Sequence, residues 1–315
     1  MIIGFDVGGT NARGILVDAN NAEILDRVHR SSRGEGPVLL GKLVDMVEEM
    51  RSNNDVTIDS IGLGIAGLAH RSGVVRYSPN LPDLIEYPIG QELEAATGVS
   101  VKVTNDATAG AWAEAKLGAG RGADNISFVA LGTGIGTGFV MDGVLVQGAN
   151  GFAGEAGHMV VNFDGPAHIT GQQGPWEYYA SGSGLGRMGR EAAKAGSFDA
   201  GVALAGAVDD ITGFHVVEAL RTGDDDAAAV FDVFCREVAR GTANLIMVFD
   251  SERVVIGGGL TSIGQPLRDG VDAWLQKLLL GQANRPVVDV ALAELGEDAS
   301  TLGAALMSLD LPLRT

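Results

Sequence analysis

Cysteine is almost absent. Cys235 is the one thiol in 315 residues, so an internal disulfide is excluded, which fits a reducing compartment. Its surroundings, AAAVFDVFCREVARGTANLIMVF, space apolar residues like one face of a long helix, so the thiol reads as core packing rather than as a nucleophile. Basic residues are also few: 22 Lys and Arg stand against 40 Asp and Glu, leaving a formal charge of −18. Such a surface repels phosphate backbones and argues against nucleic acid as a general partner. A small anion held by backbone N–H groups remains compatible with it. No apolar run reaches the ~18 residues of a membrane span, and the N-terminal MIIGFDVGG has no basic segment before an apolar stretch. The expectation is therefore a cytoplasmic protein with no membrane partner. A Pro/Ser-rich linker is also missing.

What the chain has in excess is glycine, 47 residues, within a composition that is 46% hydrophobic. That predicts many tight turns or close backbone approaches, around enough apolar material for two domains. MIIGFDVGGTNARGILVD reads as a hairpin turned at Gly8 and Gly9, and SFVALGTGIGTGFVMDG reads the same way. An offset of 124 residues lays Gly8 on Gly132, Gly14 on Gly138 and Asp18 on Asp142, which predicts two related α/β halves. Between and after the hairpins, helical patterns (38–50, 89–96, 107–117, 182–195, 214–220, 226–249, 267–280, 300–308) alternate with strand patterns (60–65, 101–104, 254–256, 287–291). The expected division places residues 1–106 with 300–315 in a small α/β domain and 107–299 in a larger one.

Two motifs mislead. GPVLLGKL (Gly36–Leu43) approaches a phosphate-loop pattern, but Leu43 replaces the metal-binding hydroxyl and no strand precedes it, so it reads as a helix start. GLGRMG (Gly184–Gly189) matches a dinucleotide fingerprint but follows a helical pattern. DVGGT is stronger: Gly8 and Gly9 let the backbone approach a phosphate, Thr10 adds a hydroxyl, and Asp6 at a strand end could organise hydrated Mg²⁺. A plain hairpin turn explains it equally well alone. GTGIG (Gly132–Gly136) and IGGGL (Ile256–Leu260) supply two further strand-terminal glycine loops, and three together favour nucleotide binding. TNDATAG places Asp106 where a strand gives way to a helix, as an N-cap or as the general base for phosphoryl transfer to an alcohol. NGFAGEAGHMVV joins Glu155 to His158 in a glycine-rich loop, and HITGQQGPWE follows. Carboxylates and imidazole of that kind suit sugar hydroxyls.

The stretch from Leu131 through GTGIGTGF to Gly148, Gly154, Gly157 and His158 resembles the signature of the ROK family of sugar kinases and repressors. DVGGTNARG, SPNLP, TNDATAGAWAEAKLGAGRG, GEAGHMVV, WEYYASGSGLGR and VVIGGGL occur in that family's order across essentially the whole chain, most like its bacterial glucokinases. The resemblance implies the two-domain actin-like, hexokinase-type (duplicated RNase H-like) ATPase fold, closing over a cleft. It implies Asp106 as the base for a sugar 6-hydroxyl, and Asn80, Asn105, Glu155, His158 and Glu177 as holders of the other hydroxyls. It further implies that Gly8, Gly9, Thr10, Asn11, Thr133, Gly134, Gly258 and Gly259 line an ATP site used with Mg²⁺, and that the assembly is a homodimer.

One departure is plain. Much of that family binds structural zinc through the His and three cysteines in a C-x-C-G-x-x-G-C-x-E frame. Here His168, Thr170 and Pro175 occupy the cysteine places while Gly171, Gly174 and Glu177 remain. Two histidines fall short of a four-ligand site, so no zinc is expected. The loop is expected to keep presenting Glu177, held by Pro175 and Trp176. Glucose is the favoured sugar; mannose, fructose, an N-acetylhexosamine or a polyphosphate donor stay open. Family repressors carry an N-terminal helix-turn-helix, whereas the phosphate-loop strand here begins at Ile2. A non-catalytic sugar sensor is disfavoured because Asp106 and all three glycine loops are present.

Overall fold

The computed structural model describes residues 1–309. The chain opens with strands β1 (Ile2–Val7), β2 (Asn11–Val17) and β3 (Ile24–Ser31), then helix α1 (Gly36–Asn54) and β4 (Ser60–Ile65). A small hairpin of β5 (Leu68–Ala69) and β6 (Val75–Tyr77) leads to α2 (Ile89–Thr97), β7 (Ser100–Asn105) and α3 (Asp106–Leu117). The main sheet is ordered β3-β2-β1-β4-β7, with β1 antiparallel to β2 and parallel to β4. β1 and β4 are covered on both faces, which is why they read as nearly unbroken apolar runs rather than alternating ones. α1 starts at the misleading glycine motif, with proline in its first turn, and buries Leu39, Leu43, Met46, Val47 and Met50 at helical spacing.

The pattern then repeats. β8 (Ile126–Leu131), β9 (Ile135–Met141) and β10 (Val144–Leu145) precede helices α4 (Trp176–Ala180), α5 (Gly182–Lys194), α6 (Asp199–Ala205), α7 (Gly213–Arg221) and α8 (Asp225–Phe249). β11 (Arg253–Gly257), α9 (Gln265–Leu278), β12 (Asp289–Leu292) and α10 (Ala299–Ser308) complete the described chain. The second sheet runs β10-β9-β8-β11-β12, the same winding as the first. The 124-residue offset lays both ends of β1 on β8 and both ends of β2 on β9. No helix among the described residues is long and apolar enough to cross a membrane.

Contacts group the chain into one unit of Met1–Phe128, Gly138–Gly154 and the segment from Glu294, and a second of Val129–Thr137 with Glu155–Ala293. The sequence pattern places the division after Asp106, with 300–315 returning to the first domain; residues 310–315 of that segment lie outside the described residues. The grouping keeps α3 in the first unit because α3 packs on α10. There the helices meet backbone to backbone: a methyl on Gly303 would sit 1.8 Å from the Ala109 carbonyl oxygen. In the second unit α8 packs on α9, and Cys235 is fully buried in α8. Burial pushes its thiol up to about 12, so it stays protonated and inert. The GLGRMG glycines lie inside α5, where Gly186 lets the helix approach the start of α7.

Candidate active site

In the first unit, β1 delivers Asp6 and the junction of β7 with α3 delivers Asp106. The cap of α3 is Asn105 rather than Asp106. Its Oδ1 accepts the N–H groups of Ala107 at 2.9 Å and Thr108 at 3.1 Å, and its Nδ2 donates to the Gly67 carbonyl at 3.2 Å. Capping therefore does not account for Asp106, which occupies the first helical position with Oδ1 accepting the Ala107 N–H at 2.8 Å. Burial raises the Asp106 carboxyl above its ordinary range, against the pull of backbone N–H groups at Ala107 and Asp106. Asp6 is pushed up to about 7, by burial first and then by the charge of Asp106, with Arg13 opposing. Two carboxylates in each other's field favour a shared proton or a cation.

The turn beside Asp6 is pinned. Gly8 N–H donates to the Asn11 carbonyl at 3.0 Å, the Ser32 hydroxyl donates to the Gly8 carbonyl at 2.6 Å, and Ser32 N–H donates to the Thr10 carbonyl at 3.0 Å. Thr10 and Asn11 are left exposed at its tip. A Cβ on Gly9 would lie 2.8 Å from the Asn80 carbonyl oxygen, so the turn and the Asn80 loop are in direct contact. Buried Ser78 shapes that loop, donating to the Ala66 carbonyl at 2.7 Å and accepting the Leu81 N–H at 3.1 Å. The sequence pattern does not single out Ser32 or Ser78; a serine beside a turn glycine or proline carries only a weak signal of this kind.

In the second unit, Gly132 N–H donates to the Gly134 carbonyl at 3.0 Å, leaving Thr133 exposed at the turn. The first N–H of α5, from Gly182, donates to the Gly132 carbonyl at 2.8 Å, and Ser181 caps that helix. Gly258, at φ 81°, brings the third glycine loop onto the end of β8, where a Cβ would meet the Leu131 carbonyl oxygen at 2.5 Å. Gly259 opens a 3-10 turn in which Thr261 and Ser262 hydroxyls donate to the Gly258 and Gly259 carbonyls. Two glycine loops and a helix N-terminus thus converge, an arrangement suited to phosphate oxygens.

Glu177, in the first turn of α4, rests against the same turn. Its Oε2 accepts the Ile135 N–H at 2.7 Å, and a Cβ on Gly134 would lie 2.2 Å from that oxygen. Its Oε1 is 3.2 Å from His168 Nε2. Glu155 precedes and His158 ends a 3-10 turn, with Oε2 and Nε2 3.9 Å apart, and the Ala156 N–H donates to Thr137 Oγ1 at 3.2 Å. The His158 and His168 rings meet edge to face at 6.3 Å.

This donor set does not fit tetrahedral zinc. Both His168 nitrogens are engaged, Nδ1 by Thr170 Oγ1 at 2.9 Å and Nε2 by Glu177. Among the described residues no group of three or more His, Cys, Asp or Glu is placed to hold a metal ion. Backbone bridges Val160 to Pro175 and Ala167 to Gln173 brace the loop, and fully buried Trp176 donates from Nε1 to the Glu237 carbonyl at 2.8 Å.

One sheet winding used twice, each time opening on a glycine-turned hairpin, places the protein among the two-domain actin-like ATPases. Residues 2–310 match the ROK family, and the chain belongs to it. It is 35% identical over 310 residues to the glucokinase of Streptomyces coelicolor, covering 97% of this chain and 96% of that one. It is 35% identical over 311 residues to the glucokinase of Thermotoga maritima, covering 96% of each. The solved ROK family glucokinase from Streptomyces griseus, in complex with glucose and AMPPNP, superimposes with a TM-score of 0.85 at 33% identity over 98% of both chains.

Proposed function

We propose that the protein is an ATP-dependent glucokinase that phosphorylates the 6-hydroxyl of glucose. The observation that carries this reading is Asp106: it stands at a strand-to-helix junction with its carboxyl raised, while Asn105 does the capping. A raised carboxyl is a stronger base than an ordinary one and is better matched to a hydroxyl proton. As Asp106 takes the proton from O6–H, O6 forms its bond to the γ-phosphorus, the bond to the β,γ-bridging oxygen breaks, and ADP leaves with that electron pair. The proton then passes from Asp106 to solvent.

The remaining roles are part of the same reading. Asn80, Asn105, Glu155, His158 and Glu177 hold the other sugar hydroxyls; Asn105 keeps one Nδ2 hydrogen for this after its bond to Gly67. Gly8, Gly9, Thr10 and Asn11 take phosphate oxygens, as do Thr133, Gly134, Gly258 and Gly259. Asp6, beside Asp106, suits Mg²⁺ carried with ATP, where the metal would neutralise phosphate charge. The protein works without structural zinc, in the cytoplasm, as a homodimer. Glucose is preferred because the full-length relatives at 35% identity are glucokinases. A coupled assay across glucose, mannose, fructose and N-acetylhexosamines, each with ATP or polyphosphate, tests this; a kcat/KM for another pair above that for glucose with ATP refutes it.

A further inference from the structure

We infer that His168 is a positioning residue for Glu177, holding its carboxylate through a Thr170–His168–Glu177 chain. The inference rests on the reading of Glu177 as a sugar-binding carboxylate. Thr170 Oγ1 and His168 Nδ1 are 2.9 Å apart. With the hydroxyl donating to Nδ1, the ring hydrogen is placed on Nε2, which faces Glu177 Oε1 at 3.2 Å. The other oxygen, Oε2, accepts the Ile135 N–H at 2.7 Å. Each carboxylate oxygen is thus fixed by one donor and retains a lone pair for a hydroxyl. The side chains of His168 and Glu177 are 13% and 18% exposed, so water competes little for these bonds.

Sequence distance gives no local reason for this contact; the loop makes it. The Ala167–Gln173 bridge and the His168 N–H donated to the Gln172 carbonyl at 2.7 Å fold residues 167–173 back on themselves. The Val160–Pro175 bridge and the Trp176 N–H donated to the Met159 carbonyl at 2.8 Å fix the start of α4. An imidazole standing in one of the family pattern's cysteine places therefore orients the carboxylate directly.

The test compares His168→Leu, His168→Gln, Thr170→Val and Glu177→Gln in the full chain, measuring glucose KM, ATP KM, kcat and melting temperature. His168→Leu should raise glucose KM by ~10-fold, the scale of a lost charge-assisted hydrogen bond, with ATP KM moving less than ~3-fold. His168→Gln, whose amide nitrogen can replace Nε2, should recover most of that loss. Thr170→Val should give a smaller rise in glucose KM, and it carries the test if His168→Leu does not fold. Wild-type glucose KM in His168→Leu, or in Thr170→Val where it stands in, overturns the proposal, as does equal impairment of the Leu and Gln variants. Glu177→Gln separates the two levels. If it raises glucose KM while His168→Leu does not, only the positioning role fails; if it leaves glucose KM unchanged, the sugar role of Glu177 fails as well.

Discussion

Replacing Asp106 with Asn separates the base from every structural duty the residue could have. The helix cap stays, since Asn105 supplies it, and the amide oxygen of the substituted side chain can still accept the Ala107 N–H. What disappears is one negative charge beside Asp6. Raising Asp6 from an ordinary 3.8 to about 7 corresponds to roughly 4 kcal/mol of unfavourable ionisation in the folded chain. Burial is the largest cause and Asp106 the next, with Arg13 opposing, so removal of Asp106's charge should return part of that penalty, and the burial cost of Asp106's own charge goes with it. The sign follows from proton binding. Between about pH 4 and pH 7 the folded chain holds a proton on Asp6 that the unfolded chain has lost, so stability falls as pH rises through that window. Above pH 7 the penalty is fully present, and there the variant gains most; near pH 5 Asp6 is protonated in the folded chain and little is gained. Thermal melts at pH 5 and pH 8 should therefore show an unchanged or higher melting temperature, with the larger gain at pH 8. Loss of the base should lower kcat by ~10²–10⁴-fold. Asn105→Ala is the control, costing about 1 kcal/mol as a lost cap. A kcat within ~10-fold of wild type would refute the assignment of Asp106 as base; a melting temperature several degrees lower at both pH values would show a structural duty the geometry does not contain.

Glu114 is fully buried, and its carboxylate accepts the N–H groups of Ala119 at 2.8 Å, Glu294 at 3.2 Å and Leu295 at 2.9 Å. Glu114→Ala should cost about 3–5 kcal/mol in urea unfolding by orphaning those donors. Gly134→Ala should raise glucose KM and ATP KM together, because its methyl would crowd Glu177 Oε2 in a turn proposed to take phosphate oxygens. Elemental analysis should find no stoichiometric zinc, and a strong chelator should leave the melting temperature unchanged; about one zinc per chain, with unfolding on chelation, would contradict the His168 geometry.

Both hairpins are legible because a glycine turn between apolar runs is a local signal, and the offset predicts their shared frame before any strand is placed. α3 is legible to within one residue. Asn105 and Asp106 are both good caps, and the choice between them depends on Nδ2 of Asn105 reaching Gly67, a contact 38 residues away. β3 gives little sign of itself because it is an edge strand with Asp26 and Arg30 at its inward, half-buried positions and Leu25 at an outward one, which blurs the period-two pattern. The short β5 and β6 strands and α6 have too few residues for any period to show. The division between the two contact units turns on small residues such as Gly303 meeting α3, and nothing local marks that. The residues of the second and third glycine loops are visible in the sequence, but the meeting of those two at the end of β8 is not.

The two hairpins share a backbone but not a chemistry. Under the offset Asp6 falls on Ala130, Gly9 on Thr133 and Thr10 on Gly134. The first turn closes from Gly8 to Asn11, the second from Gly132 to Gly134, one residue tighter. In each, a polar group covers one glycine: a Cβ on Gly9 would lie 2.8 Å from the Asn80 carbonyl oxygen, and one on Gly134 2.2 Å from Glu177 Oε2. The strand of the first hairpin supplies its own carboxylate, Asp6. The second strand, with Ala130 in that place, receives one from α4, and Ile135 N–H holds it there. Among the described residues, the first hairpin is the one whose acid, Asp6, lies in the field of a second carboxylate, Asp106, and that is where the proposed base and cation would sit together.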